Sequence, residues 1–163
     1  MNEKKTKSTF ILSSAILLLG VLFFSSCDSK RVFEQNQAIP ESGWAVSNII
    51  KLKVDIKDPS TPTNFYINVR NADGYPWKNV CLFIKTTFPN GKMSDDTLDC
   101  TLADDKGKWL GRGIGDLYDS QIPFKRNVRF PLAGTYSFEI QQGMRMDNIP
   151  LIMDVGLRIE KAD

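Results

Sequence analysis

Histidine is absent from the 163-residue chain, and cysteine occurs only three times. Without histidine no Ser-His-Asp or Cys-His catalytic set can form within the chain. A His-containing zinc site is excluded for the same reason, and three cysteines fall short of an all-Cys site. No apolar stretch reaches the roughly 20 residues that cross a ~30 Å hydrocarbon core; the most apolar, Phe10 to Phe24, has fifteen. No window carries the 3.6-residue period of a long amphipathic helix. A large charge of one sign is missing too. Lys4, Lys5, Lys7 and Glu3 lie near the start, and from residue 27 onward the remaining bases and acids balance at 18 each. A neutral chain lacks the concentrated basic face that nucleic acid requires. At 42% hydrophobic and 25% charged residues the composition is that of an ordinary folded domain.

What is present starts with an address. The basic stretch Met1 to Lys7, then the uncharged run to Phe24, is the pattern of a secretory signal peptide. Phe24-Ser25-Ser26-Cys27 resembles a bacterial lipobox, with Phe24 where Leu is usual. In that pattern the Cys27 thiol is acylated and becomes the first residue of the mature protein. Two or three acyl chains anchor a protein far more firmly than one. The expected organisation is therefore a lipoprotein signal peptide at 1–26, a lipidated N-terminus and polar tether at 27–45, and a folded domain at 46–163. If wholly flexible, the tether spans about 23 Å, with a short strand possible only at Arg31 to Glu34.

The body alternates with period two. Ile50, Leu52, Val54 and Ile56 are interleaved with Lys51, Lys53, Asp55 and Lys57, which is a strand with one wet face. Phe65, Ile67 and Val69 mark a second; Val80 to Phe88 and Met93 to Leu102 a third and fourth. Further strands are expected at Lys108–Leu110, Tyr118–Phe124, Asn127–Phe130, Gly134–Gln142 and Met153–Glu160, with a helical turn between Gly143 and Pro150. Many short strands with frequent turn signals predict an all-β chain: an antiparallel two-sheet β-sandwich, jelly-roll-like, with a small barrel as the alternative. Asn90-Gly91 predicts a two-residue hairpin that sets Cys81 opposite Cys100. A disulfide between them is one reading; two separate thiols acting as small hydrophobes is the other.

Three constellations carry weaker chemistry. Gly111-Arg112-Gly113-Ile114-Gly115 lacks the spacing and the helix of a phosphate loop, so bulges explain its glycines better. Asp95, Asp96, Asp99, Asp104 and Asp105 form an acidic neighbourhood without EF-hand spacing. Trp44, Trp77 and Trp109 are a possible sugar-stacking set, Trp77 above all, although packing is the commoner role of such rings. No cofactor, metal site or catalytic residue is implied.

The ordered segments Ser26-Cys27-Asp28-Ser29, Arg31 to Glu34, Phe65 to Asn71, Thr86 to Lys92, Gly107 to Gly111, Asn127 to Pro131, Gly134 to Ile140 and Met153 to Glu160 resemble the gliding-motility lipoprotein GldH family of the Bacteroidetes. The resemblance implies a non-enzymatic envelope protein of the apparatus for gliding over surfaces, tied to type IX secretion. It implies membrane lipid through acylated Cys27 and other lipoproteins or envelope proteins of that machinery as partners. Only Cys27 carries over as a functional position. One acid followed by Lys30 and Arg31 differs from the acidic run of surface-exported lipoproteins in that phylum, which points to the periplasmic side of the outer membrane. The competing expectation is a glycan- or peptidoglycan-binding β-sandwich lipoprotein.

Overall fold

A computed structural model describes residues 28–163. The expected signal peptide and Cys27 lie outside the described residues. Among the described residues the regular structure is all strand, and no helix is long and apolar enough to cross a membrane.

Eleven strands follow in chain order: β1 (Arg31–Ala38), β2 (Trp44–Ala45), β3 (Ile50–Ile56), β4 (Thr63–Ala72), β5 (Asn79–Thr87), β6 (Met93–Thr101), β7 (Arg112–Ile114), β8 (Leu117–Val128), β9 (Gly134–Gln142), β10 (Asn148–Ile149) and β11 (Ile152–Lys161). One antiparallel sheet runs β1-β11-β4-β8-β7 and the other β3-β9-β5-β6, while β2 and β10 form a two-residue ribbon. Leaving out the three shortest strands, the first sheet takes the first, eighth, third and sixth of the remaining eight; the second sheet takes the second, seventh, fourth and fifth. That order is a jelly roll, two Greek keys folded into a sandwich.

The alternation in sequence is the alternation in burial. Ile50, Leu52, Val54 and Ile56 are buried while the residues between them face water, and β4 repeats this with Phe65, Ile67 and Val69. From the facing strands come Leu82, Ile84, Tyr136, Phe138, Ile140, Val155, Leu157 and Ile159. Each such side chain contributes roughly 1.5–3 kcal/mol through loss of contact with water. Phe65, Phe130, Tyr136 and Phe138 form an aromatic cluster at one end, with ring centroids 4.8–6.2 Å apart.

Several expectations are corrected. The stretch expected to be a tether belongs to the domain. β1 pairs with β11 from Arg31 to Ala38 with a bulge at Val32, and Trp44 is wholly buried, its indole N–H donating to the Asn48 carbonyl at 2.8 Å. The two strands expected at 118–124 and 127–130 are the single strand β8, whose pairing with β4 shifts near Phe65. Residues 143–150 form bends and β10, and Trp109 makes only an isolated bridge with Ala103.

The hairpin register differs by one residue. Thr87 pairs with Met93, and Phe88 N–H donates to the Lys92 carbonyl. Pro89, with its φ fixed near −65°, suits the second position of a type I turn. The turn therefore starts at Phe88, whose carbonyl accepts from Gly91 N–H at 2.9 Å, and Gly91 closes it at φ 80°. This is the three-residue connection, not the two-residue one. Cys81 consequently faces Asp99, and Cys100 faces Val80. The two sulfurs sit on opposite faces of the sheet as free thiols, so the expected pairing of Cys81 with Cys100 is not formed. Cys100 lies in the core, where burial pushes its thiol up to about 12; Cys81 is half-buried and also raised by burial.

Candidate functional site

The outer face of the five-stranded sheet is where polar side chains converge. Strand register lines them up in rows. One row across β1, β11, β4 and β8 is Glu34, Arg158, Tyr66, Pro123; the next is Asn36, Gly156, Asn68, Gln121; the third is Ala38, Asp154, Arg70, Asp119, extended by Arg112 of β7. On β4 and β11 the residues between them, Ile67, Val69, Val155 and Leu157, point into the core, so the rows are fixed by the packing beneath these strands.

Arg158 anchors the first row. Its guanidinium donates to Glu34 at 2.6 Å, to Glu160 at 2.6 Å and to Asp28. Burial works against the charge, but the hydrogen bonds to Asp28 and Glu160 outweigh it and hold Arg158 above its ordinary pKa. The same hydrogen bond holds the Asp28 carboxyl below the usual range. Arg70 anchors the third row, bonded to Asp119 at 2.6 Å and paired with Asp154 at 3.2 Å. Burial raises the Asp154 carboxyl, with Arg70 opposing.

Gly156 makes the middle row possible. A Cβ there would run into the Asn36 side chain and the Gln35 carbonyl. Without one, Asn36 leans across β11 and accepts from the Asn68 amide at 3.1 Å, and Glu34 accepts from the same amide at 3.1 Å. Asn68 Oδ1 and Ser120 Oγ are buried and have no partner among the described residues. A groove of about 820 Å³ runs along this face past Asn68, Arg70, Gly111 and Ser120 toward Asp99 of β6. Its chemistry is that of a largely pre-paired hydrogen-bonding surface, with Arg70 and Arg158 held by carboxylates, Arg112 exposed without an ion pair among the described residues, and amide groups presented between them.

Other candidate residues lie elsewhere. Trp77 packs edge-on against Tyr75, with centroids 5.3 Å apart. Trp109 packs on Tyr75 and Tyr118 and donates to Asp73 at 2.9 Å. With Trp44 in the core, none of the three tryptophans forms an open stacking platform. The acidic residues disperse: Asp96 pairs with Lys125, Asp105 with Lys78, and Asp104 caps its own turn by accepting from Lys106 and Lys108 N–H. Among the described residues no three His, Cys, Asp or Glu converge as a metal would need. The Gly-rich stretch is the β7–β8 hairpin. Gly113 lies against the Leu117 backbone, Gly115 has φ 68°, and Ile114 at the tip is 96% exposed. Sequence reasoning missed the rows altogether.

Residues 31–159 match the family described as GldH lipoprotein. A gliding motility lipoprotein GldH homolog of Christiangramia forsetii is 36% identical over 91% of this chain and 94% of its own length. The gliding motility lipoprotein GldH of Flavobacterium johnsoniae is 31% identical over 94% of this chain and 99% of its own. Among solved structures, an exo-β-1,3-galactanase of Phanerochaete chrysosporium gives a TM-score of 0.35 at 10% identity, covering 77% of this chain and 29% of that one. The matched span begins with β1 and ends within β11, so it takes in all four residues of the first row of the polar face. The chain belongs to the GldH lipoprotein family.

Proposed function

We propose that this protein is a lipid-anchored envelope component, acylated at Cys27, that works as a non-catalytic binding module in gliding over surfaces and the type IX secretion tied to it. It is attached to the outer membrane and faces the periplasm, and its partners are other lipoproteins or envelope proteins of the same machinery. Membership of the family supports the first part, since the relatives that match nearly end to end bear the gliding name. The observation that carries the binding role is Asn68 Oδ1, a buried acceptor without a partner among the described residues, on a groove where Glu34, Arg70, Asp119 and Asp154 are already paired. Buried acceptors are rarely left unmatched, and a partner's N–H or O–H would complete this one.

The test is genetic. Deletion should abolish both colony spreading and export of type IX cargo; Cys27→Ala should lose labelled palmitate, and Asn68→Ala should fold yet fail to complement. A deletion strain that spreads normally would remove the gliding role. Palmitate label on Cys27→Ala equal to wild type would remove the anchor.

One observation favours a second reading, contact with peptidoglycan or another polysaccharide. Asn36, Asn68 and Gln121 set their carboxamides in a single row beside Tyr66, and carboxamides bond sugar hydroxyls in both directions. A sacculus pull-down that weakens in Asn68→Ala and Tyr66→Ala would support it; no retention of the wild-type protein would exclude it.

A further inference from the structure

Strand register sorts the loops into two ends. Thr63 pairs with both Lys161 and Val128, Ile56 pairs with Gly134, and Thr87 pairs with Ser137 and Met93. Lys161 N–H donates to the Lys30 carbonyl, and Ala162 N–H to that of Pro62. The start of the described chain, the β3–β4 loop, the β5–β6 turn, the β8–β9 loop and the chain end therefore meet at one pole.

That pole is basic although the chain from residue 27 is neutral. Segments 28–31, 57–62, 89–93, 125–133 and 160–163 hold eight lysines and arginines against four carboxylates. At the opposite pole, segments 39–49, 73–78, 102–111, 115–116 and 143–151 hold four against six. Lys57, Lys92, Arg126, Arg129 and Lys161 are exposed and make no ion pair among the described residues. Among these bases Met93 is 67% exposed and Leu132 38%.

We infer that this pole is a docking surface for anionic phospholipid headgroups. The domain then stands end-on against the bilayer, and the β7–β8 hairpin with Ile114 points away. Three observations argue for that occupant. The charge is complementary. The apolar Met93 and Leu132 sit where side chains would reach the headgroup boundary. Finally, only Asp28, Ser29 and Lys30 separate Cys27 from β1. Three residues reach about 10 Å at full extension, close to the ~8 Å Debye length at physiological salt. The orientation rests on Cys27 being the anchor; the attraction of the surface for anionic lipid does not.

The experiment uses the full-length lipoprotein, purified from envelopes and reconstituted into vesicles of phosphatidylcholine alone or with phosphatidylglycerol. A genetically encoded environment-sensitive fluorophore replaces Met93 or, as control, Ile114. At 93 the emission should shift to the blue and be quenched by brominated acyl chains when phosphatidylglycerol is present. Added salt should reverse the change, and position 114 should not respond. Charge reversal by K57E, K92E, R126E and R129E together should abolish the response at 93 and weaken flotation of the Cys27→Ala protein with anionic vesicles by more than about tenfold. Equal emission at 93 in both lipids, or equal quenching at 114, would overturn the surface. The mass of the Cys27 peptide separates the two readings. An unacylated peptide with phosphatidylglycerol-dependent flotation removes the anchor and keeps the surface. An acylated peptide without a phosphatidylglycerol response does the opposite.

Discussion

Replacing Arg158 with methionine should be the most destabilising single change on the polar face. The Arg158 side chain is 13% exposed, and it neutralises Glu34 and Glu160, whose side chains are 27% and 19% exposed. An exposed pair is worth roughly 0.2–1 kcal/mol, whereas removing one member of a fully buried pair costs roughly 3–5. Two half-buried carboxylates left side by side place the loss at about 2–3 kcal/mol. The urea slope of a domain of this size is about 2 kcal/mol per molar, so the unfolding midpoint should fall by about 1–1.5 M. Equilibrium urea unfolding followed by tryptophan emission measures this directly, because Trp44 and Trp109 lie in or against the core. The penalty comes mainly from stranded charge and not from lost attraction. Removing the acids as well, in Arg158→Met with Glu34→Gln and Glu160→Gln, should then restore at least half of the midpoint. A midpoint shift below about 0.3 M for the single variant, or no recovery in the triple one, would refute the argument.

Two further outcomes follow from the hairpin and from a turn. Intact mass should be the same with and without reductant for Cys81 and Cys100; a maleimide should modify Cys81 in the native protein and Cys100 only after unfolding. A two-dalton gain on reduction would contradict the one-residue register. Asp58 accepts hydrogen bonds from Ser60 N–H, Ser60 Oγ and Thr61 Oγ1 at 2.6–2.9 Å, and these hold its carboxyl at about 2, against an ordinary 3.8. A depressed folded-state value adds stability above about pH 4 that disappears as pH falls toward 2. Thermal midpoints of wild type and Asp58→Asn should therefore differ near neutrality and converge by pH 2; a gap independent of pH would contradict the assignment.

The strands that were legible in sequence are those whose two faces meet different media. β3, β4 and β9 alternate because one side meets the core and the other meets water. Only the first half of β1, Arg31 to Glu34, is legible, because β1 is an edge strand. Phe33 is its one side chain packed against the core, and backbone pairing with β11 and the Arg158 network hold the rest. β8 reads as two strands because Lys125-Arg126 breaks the alternation after Phe124, and it is there that the pairing with β4 shifts. Asn90-Gly91 alone specifies a two-residue turn; Pro89 lengthens it to three residues and moves the register by one. The polar face was illegible for a different reason. Glu34, Asn68, Asp119 and Arg158 come from four separated segments, and each alone looks like a solvated residue on a wet face. Only the order of strands brings them into rows, and period-two alternation carries no information about strand order.

Electrostatics divides the molecule into two working surfaces. On the sheet face, Arg70 and Arg158 are each tied to at least two carboxylates at fixed distances, so little net charge is left to act at long range. Recognition there depends on the geometry of donors and acceptors, which salt screens weakly at contact distance. At the pole beside residue 28, five of the eight bases make no ion pair among the described residues, so attraction acts over a Debye length and falls steeply with added salt. A single chain thus separates a short-range, shape-dependent contact from a long-range, charge-dependent one. It does so with a neutral composition, because the jelly roll gathers five unpaired bases at one end and sets the paired Arg70 and Arg158 on the outer face of one sheet. Varying ionic strength consequently resolves which surface a given interaction uses, even before its partner is known.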